Sequence, residues 1–266
     1  MRGSRWRLEE VDGVRLVRCA AFDAIRGVAH AFSTRLAFGR ADFDLGPVEN
    51  DACAPGSRCA AFLRAAGLGP ARPAFLTQVH GGVIVNSEMR GERPPTADGS
   101  IRSVRHGAHG PVPVVRTADC VAVLLVDRHA TAVAAVHAGW RGVAARIGAN
   151  AVARFAAEGV APRDLIVAMG PAILGCCYEV GEDVVAALGA ACGATARYVT
   201  RTNSGGLSVD LHAALRSQLV AAEVPLESIH AAPWCTRCRP DLFYSFRGEG
   251  SASGRLMAAV GPAYGP

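Results

Sequence analysis

The sequence predicts a mixed α and β fold, and three observations carry that reading. Residues 121–127 and 131–136 are apolar, β-branched runs separated only by Arg128-His129-Ala130, the pattern of a β-hairpin. Residues 143–158 place Val143, Ile147, Val152 and Phe155 at helical spacing, with Gly159 as a stop. Both hairpin strands are apolar on both faces, so their sheet must be covered on both sides.

The other elements follow in chain order. Short apolar stretches over 13–28 suit early strands, and residues 58–66 read as a helix ended by Gly67. Residues 88–113 are rich in Gly, Pro, Arg and His and read as loops around a short strand at 99–104. After the hairpin and the 143–158 helix comes a buried strand at 165–169. Glu182-Asp183 open a helix running to about Cys192, because acids suit a first turn. Asp210 is a predicted N-cap for a helix through Val220, and residues 256–260 form a last strand. No internal repeat stands out. At 266 residues the chain is long enough for one large domain or two small ones, and we read 1–266 as one.

Composition removes several function classes. Half the residues are hydrophobic and the formal charge is +5, carried by arginine alone, since the chain has no lysine. That excludes a lysine Schiff base and a Walker A lysine. No G-x-G-x-x-G or H-E-x-x-H is present, and the serines of Gly250-Ser-Ala-Ser-Gly254 are not spaced as a nucleophile elbow. The arginines are scattered and aromatics are 6%, so neither a basic stripe nor a stacking platform for nucleic acid is visible. The first residues lack the apolar stretch of a signal peptide, and no apolar run reaches the roughly 20 residues of a membrane helix. A cytoplasmic protein with no membrane partner, its nine cysteines reduced, is the expectation.

Chemistry concentrates in three side chains. His80 lies in Thr77-Gln78-Val79-His80-Gly81, Cys120 ends Thr117-Ala118-Asp119-Cys120, and His137 opens His137-Ala138-Gly139-Trp140-Arg141-Gly142. Two imidazoles and a thiolate suit zinc and leave a fourth position open, as in catalytic sites. If Arg128-His129 form a two-residue turn, Cys120 faces His137 across the hairpin at about 4.5–5.5 Å between Cβ atoms. Arg-His is not a favoured turn pair, and a slip of one residue would send the two ligands to opposite faces. Nothing local brings His80 to them.

These stretches carry a family resemblance. Together with His30-Ala31-Phe32-Ser33-Thr34-Arg35, Gly170-Pro171-Ala172-Ile173, Cys177-Tyr178-Glu179-Val180-Gly181, Phe243-Tyr244-Ser245-Phe246-Arg247 and Gly254-Arg255-Leu256-Met257, the chain resembles the bacterial laccase-domain, multicopper polyphenol oxidase-like family. That family includes proteins called purine nucleoside phosphorylases and peptidoglycan-editing factors. The resemblance runs in order over nearly the whole chain. It implies one compact domain of packed mixed β-sheets with helices outside, and metal ligands at His80, Cys120 and His137.

It also implies phosphorolysis of purine nucleosides such as adenosine and inosine, and deamination of adenosine. Purine nucleosides and phosphate are then the expected partners, and zinc the expected cofactor, with copper the lesser choice. Phosphate wants bidentate arginines. Arg35 and Arg141 lie within matched motifs and come first, followed by Arg247 and Arg255. Asp119 points away from Cys120's face on a strand and so is expected to brace the site. Cys235-Thr236-Arg237-Cys238 reads as two ordinary thiols, or else a disulfide. A structural zinc would need a second pair, which Cys176-Cys177 is not expected to supply.

The chain departs from the family after Arg35. Leu36-Ala-Phe-Gly-Arg-Ala and Asp44-Leu45-Gly46 replace a Gly-Gly-x-Ser run and an Asn-Leu-Gly, and Gly248 stands where a second arginine is common. Substrate choice and phosphate affinity are the properties this touches. Other readings use the same residues: a Cys-His hydrolase with Cys120 as nucleophile, editing peptidoglycan precursors, a copper oxidase of phenols, or a nonenzymatic partner of cell-division proteins. The oxidase ranks low, because only six histidines remain outside the trio and no H-x-H occurs.

Overall fold

A computed structural model of the protein describes residues 5–46, 53–89, 93–104 and 110–264. Two six-stranded sheets dominate it. The first runs, in spatial order, Trp6–Val11, Val14–Cys19, Val28–Ala37, Leu256–Pro262, Val112–Thr117 and Pro73–Ala74. The second runs Ile229–Ala231, Leu165–Met169, Val121–Asp127, Ala132–Ala138, Gly99–Ser103 and Ile84–Asn86. Each is mixed, antiparallel except where Pro73–Ala74, Ile229–Ala231 and Ile84–Asn86 join in parallel. A small antiparallel sheet, Glu179–Val180, Leu207–Val209 and Val199–Arg201, sits apart.

Strand alternation explains how the sheets stack. Ala122, Leu124 and Val126 meet Phe32, Val115, Ala258 and Val260 of the first sheet, forming a sandwich core. Val121, Val123 and Leu125 face the other way, under Ile147, Phe155, Leu188 and Leu215 of three helices, Ile147–Ala157, Glu182–Cys192 and Leu211–Ala221. The outer face of the first sheet, with Leu16, Ala31 and Val114, lies under Phe62 and Leu63 of the Arg58–Ala65 helix. Helix, sheet, sheet, helix is the layering, and it explains why the hairpin has no polar face.

Several elements match their sequence signals. Gly67 closes the Arg58–Ala65 helix at φ +80°, and Asp210 accepts the Ala213 N–H at 3.1 Å. Two signals misled. The helix expected over 143–158 is two helices, Trp140–Ala144 and Ile147–Ala157, split at Arg146 with φ 60°. The split lets Asn150 donate to the Gly82 carbonyl at 2.9 Å and so ties the His80 loop to the second helix.

The hairpin turn is also longer than two residues. Val126 pairs with Val133 and Ala122 with His137, because the Asp127 carboxylate gathers the N–H groups of His129, Thr131 and Ala132 into a wider loop. The slip is two residues, so the pleat is kept and Cys120 and His137 stay on one side. The expectation of reduced cysteines is corrected at one place, where Cys53 and Cys59 form a disulfide. Part of the 88–113 stretch, residues 90–92 and 105–109, lies outside the described residues. No helix among the described residues is long and apolar enough to cross a membrane.

Candidate active site

Cys120 and His137 sit at the end of the hairpin farthest from its turn. One further step along the ladder sets Cys120 beside Gly139. A Cβ built at Gly139 would lie 2.9 Å from the Cys120 sulfur and 2.9 Å from His80 Cδ2. Glycine here is a space requirement: its missing side chain is where the sulfur and the second imidazole meet.

His80 arrives on a loop held by Asp98. This carboxylate is fully buried and accepts the N–H groups of Val79 at 3.3 Å, His80 at 2.8 Å and Gly81 at 2.6 Å. It holds His80 at φ 61°, a left-handed conformation otherwise unfavourable for histidine. The same Oδ1 atom bonds His137 Nδ1 at 2.8 Å, and the Asp98 carbonyl takes the His137 N–H at 2.6 Å. With Nδ1 engaged, Nε2 of His137 is left for the cluster. Gln78 clamps the loop from the other side, donating to the Arg116 carbonyl at 2.8 Å and accepting the Arg116 N–H at 2.9 Å.

The result is a compact donor set. One ligand atom each from His80, Cys120 and His137 lies within 4.8 Å of the others, and the two imidazole rings stand edge-on at 4.7 Å. A soft thiolate and two imidazoles, oriented by a buried carboxylate, fit a borderline metal ion such as zinc. Electrostatics favour the ligating forms. Burial pushes the Cys120 thiol up, but hydrogen bonds from His137 and His80 outweigh it and bring it down to about 7. Burial pulls His137 down, yet Asp98 and Cys120 raise it to about 9. Burial likewise raises Asp98, and its bonds to His137 and the Gly81 N–H more than offset that, leaving it below the usual carboxylate range.

The trio opens into a pocket of about 690 Å³. Arg116, Arg141, Arg247 and Arg255 line it, as do Trp140, Tyr178 and Phe246. Arg247 donates to the Glu179 carbonyl at 3.0 Å, and Arg255 to the Ser253 carbonyl at 2.7 Å. Arg141 stacks 4.4 Å over Trp140 and Arg116 lies 5.1 Å over Phe75. Among the described residues neither guanidinium donates a hydrogen bond, so both are free to take an anion. Asp119 lies not on a strand, as the sequence suggests, but in the bend before one at φ 88°, and its carboxylate accepts the Thr236 hydroxyl and the Arg247 N–H, both at 2.6 Å.

Arg35 is placed elsewhere. Its guanidinium bonds Glu249 at 2.7 Å and the Pro240 and Ala41 carbonyls, stacks over Tyr244, and does not line the pocket. His30, from the same motif, accepts the Cys19 N–H at 2.9 Å in the core. Sequence reading missed Asp98, Arg116 and Gly139. Asp98-Gly99 looks like turn composition, and only the pairing of Gly99 with Val136 brings it beside His137.

The expectation that Cys176-Cys177 supplies no second pair is corrected, while all four cysteines are free thiols, in keeping with the ordinary-thiol reading. Cys176, Cys177, Cys235 and Cys238 place their sulfurs within 4.8 Å of one another. Cys176 and Cys177 lie in a turn, where adjacent side chains need not alternate as on a strand; the N–H groups of Cys177 and Tyr178 both bond the Leu174 carbonyl.

Residues 30–263 match the family model described as multi-copper polyphenol oxidoreductase laccase. Adenosine deaminase RL5 from an unknown prokaryotic organism is 41% identical over 55% of this chain and 56% of its own. A purine nucleoside phosphorylase of Deinococcus radiodurans is 32% identical over 88% of this chain and 89% of its own. The match spans about half the length of several curated relatives, RL5 among them. The crystal structure of YlmD from Geobacillus stearothermophilus superposes with a TM-score of 0.81 at 29% identity, covering 98% of this chain and 99% of that one.

Proposed function

The chain belongs to the multi-copper polyphenol oxidoreductase laccase family, and on that premise we propose that it is a zinc-dependent purine nucleoside phosphorylase that also deaminates adenosine. The observation that carries the reading is a three-donor cluster, His80, Cys120 and His137, at the base of a pocket with four arginines. Relatives named for both activities support it. Zinc suits this donor set better than a multicopper centre, which needs a histidine-rich cluster. The described residues gather no histidines for a metal beyond His80 and His137.

Bound zinc would act as a Lewis acid toward a substrate oxygen or lower the pKa of a water. The protein's own groups do the rest. Arg116 and Arg141 hold phosphate by charge-assisted hydrogen bonds, and Tyr178 and Phe246 offer flat faces to the purine. In phosphorolysis a phosphate oxygen bonds to the sugar C1′ carbon as the C1′–N bond breaks, and the purine leaves with the electron pair and takes a proton. In deamination water adds at the purine C6 carbon and ammonia leaves. Asp98 keeps the His137 ring turned with Nε2 toward the pocket in both.

A second reading has one observation in its favour. Cys120, His137 and Asp98 also stand in the order nucleophile, base and orienting acid. One experiment separates them: base release from inosine by zinc-loaded protein, with and without phosphate, beside a Cys120→Ala control. Phosphate-dependent hypoxanthine release that the control lacks supports phosphorolysis, and conversion of adenosine to inosine tests deamination. No turnover of either nucleoside would overturn the proposal in favour of the cysteine hydrolase.

A further inference from the structure

A second cysteine cluster lies beside the pocket and takes no part in its lining. Cys176 and Cys177 come from the turn after the Leu165–Met169 strand, and Cys235 and Cys238 from the segment after Ile229–Ala231. The sulfur of Cys238 is 3.7 Å from that of Cys176 and 3.3 Å from that of Cys177. All four lie within 4.8 Å of one another. In a tetrahedral zinc site with Zn–S bonds of about 2.3 Å, the sulfurs stand about 3.8 Å apart. Sulfur separations of 3.3 Å up to at most 4.8 Å bracket that value, so holding the ion changes any one of them by about 1 Å or less. The Leu174 N–H points at the Cys235 sulfur at 3.5 Å, an interaction suited to a thiolate.

We propose that Cys176, Cys177, Cys235 and Cys238 form a tetrathiolate zinc site that cross-links the two loops shaping the active-site pocket. Four thiolates fill the tetrahedron and leave no open position, so the role is structural. Ile173 and Tyr178 flank Cys176-Cys177, while Phe246 and Arg247 follow Cys238, and all four line the pocket. Among the described residues the protein's own ties between the loops include the Ala172 N–H bond to the Trp234 carbonyl at 3.4 Å, the Thr236 N–H bond to the Ala172 carbonyl at 2.9 Å, the Leu174 N–H contact to the Cys235 sulfur and the Arg247 bond to the Glu179 carbonyl. An ion at the quartet would fix the spacing of Tyr178 and Arg247, which lie 5.2 Å apart. The site stands whatever reaction the pocket catalyses.

Metal content distinguishes this site from the trio. Protein prepared with zinc should hold about two equivalents per chain, and Cys120→Ala about one. Cobalt loaded into Cys120→Ala should give the intense absorption of tetrahedral thiolate coordination, which a site of two imidazoles cannot give once its thiolate is gone. In that background, chelation should increase hydrogen exchange over 171–178 and 235–247. A Cys235→Ser, Cys238→Ser double variant should lose one equivalent and melt lower. Should it fail to fold, the cobalt spectrum of Cys120→Ala decides alone. Metal-free Cys120→Ala without a cobalt spectrum, four freely titrating quartet thiols in zinc-loaded protein, or a disulfide among them in freshly reduced protein would overturn the proposal.

Discussion

The trio and the quartet are two answers to one problem, gathering soft donors around a point, and they are built differently. The trio draws on the ends of two strands and a loop, with a buried carboxylate behind it that holds the His137 imidazole and the His80 backbone. The quartet draws on two turns, and among the described residues its backbone support is the Leu174 and Cys238 N–H groups on the Cys235 sulfur. The trio has three donors and lines a pocket; the quartet has four, none of which lines that pocket. Donor number and supporting shell thus separate a site made to react from one made to hold.

The largest expected difference is in pH response. Between about pH 7 and pH 9 Cys120 is a thiolate while His137 keeps its proton. Zinc must displace that proton, so trio affinity should rise about tenfold per pH unit across this window and level off above about 9. Competition with a chelator at several pH values measures it, and a flat profile would break the account of His137.

Asp98→Asn comes next. It keeps the size of the side chain and removes the charge behind His137, and should lower zinc affinity at the trio by about 10–100-fold. The fold and the other zinc equivalent should be retained. Equal loss from both clusters would mean that Asp98 supports the fold generally. Gly139→Ala should cost the trio about tenfold, since its Cβ would meet both Cys120 and His80. Circular dichroism unchanged alongside reduced zinc content checks it. Smallest is Arg141→Ala. An exposed arginine contributes about 1 kcal/mol to an ion pair, so KM for phosphate should rise roughly fivefold, with both metal contents unchanged.

The sequence was most legible where periodicity ran long. The hairpin, the Leu165–Met169 strand and the Glu182–Cys192 helix each lie where their patterns placed them. Cys120 and His137 emerged because both end apolar strands. The turn escaped because Asp127 caps a loop that its apolar neighbours do not announce. Arg146 escaped because the break it makes serves the His80 loop, a tertiary demand with no local signal. Asp98 lies 18 residues from His80 and 39 from His137, and only sheet pairing makes it their common partner. The quartet escaped because Cys176-Cys177 is not a C-x-x-C pair and lies about 60 residues from Cys235 and Cys238, and only the fold turns both of its side chains toward them.

The Asp98 carboxylate has a consequence for timing. Its hydrogen bonds to Val79, His80, Gly81 and His137 run between protein atoms alone, so folding itself sets the loop against the strand. None of these bonds needs the ion, so filling the site should ask for no refolding. Trio metal should therefore come and go from a standing protein, and activity stripped by a chelator should return within the mixing time of added zinc.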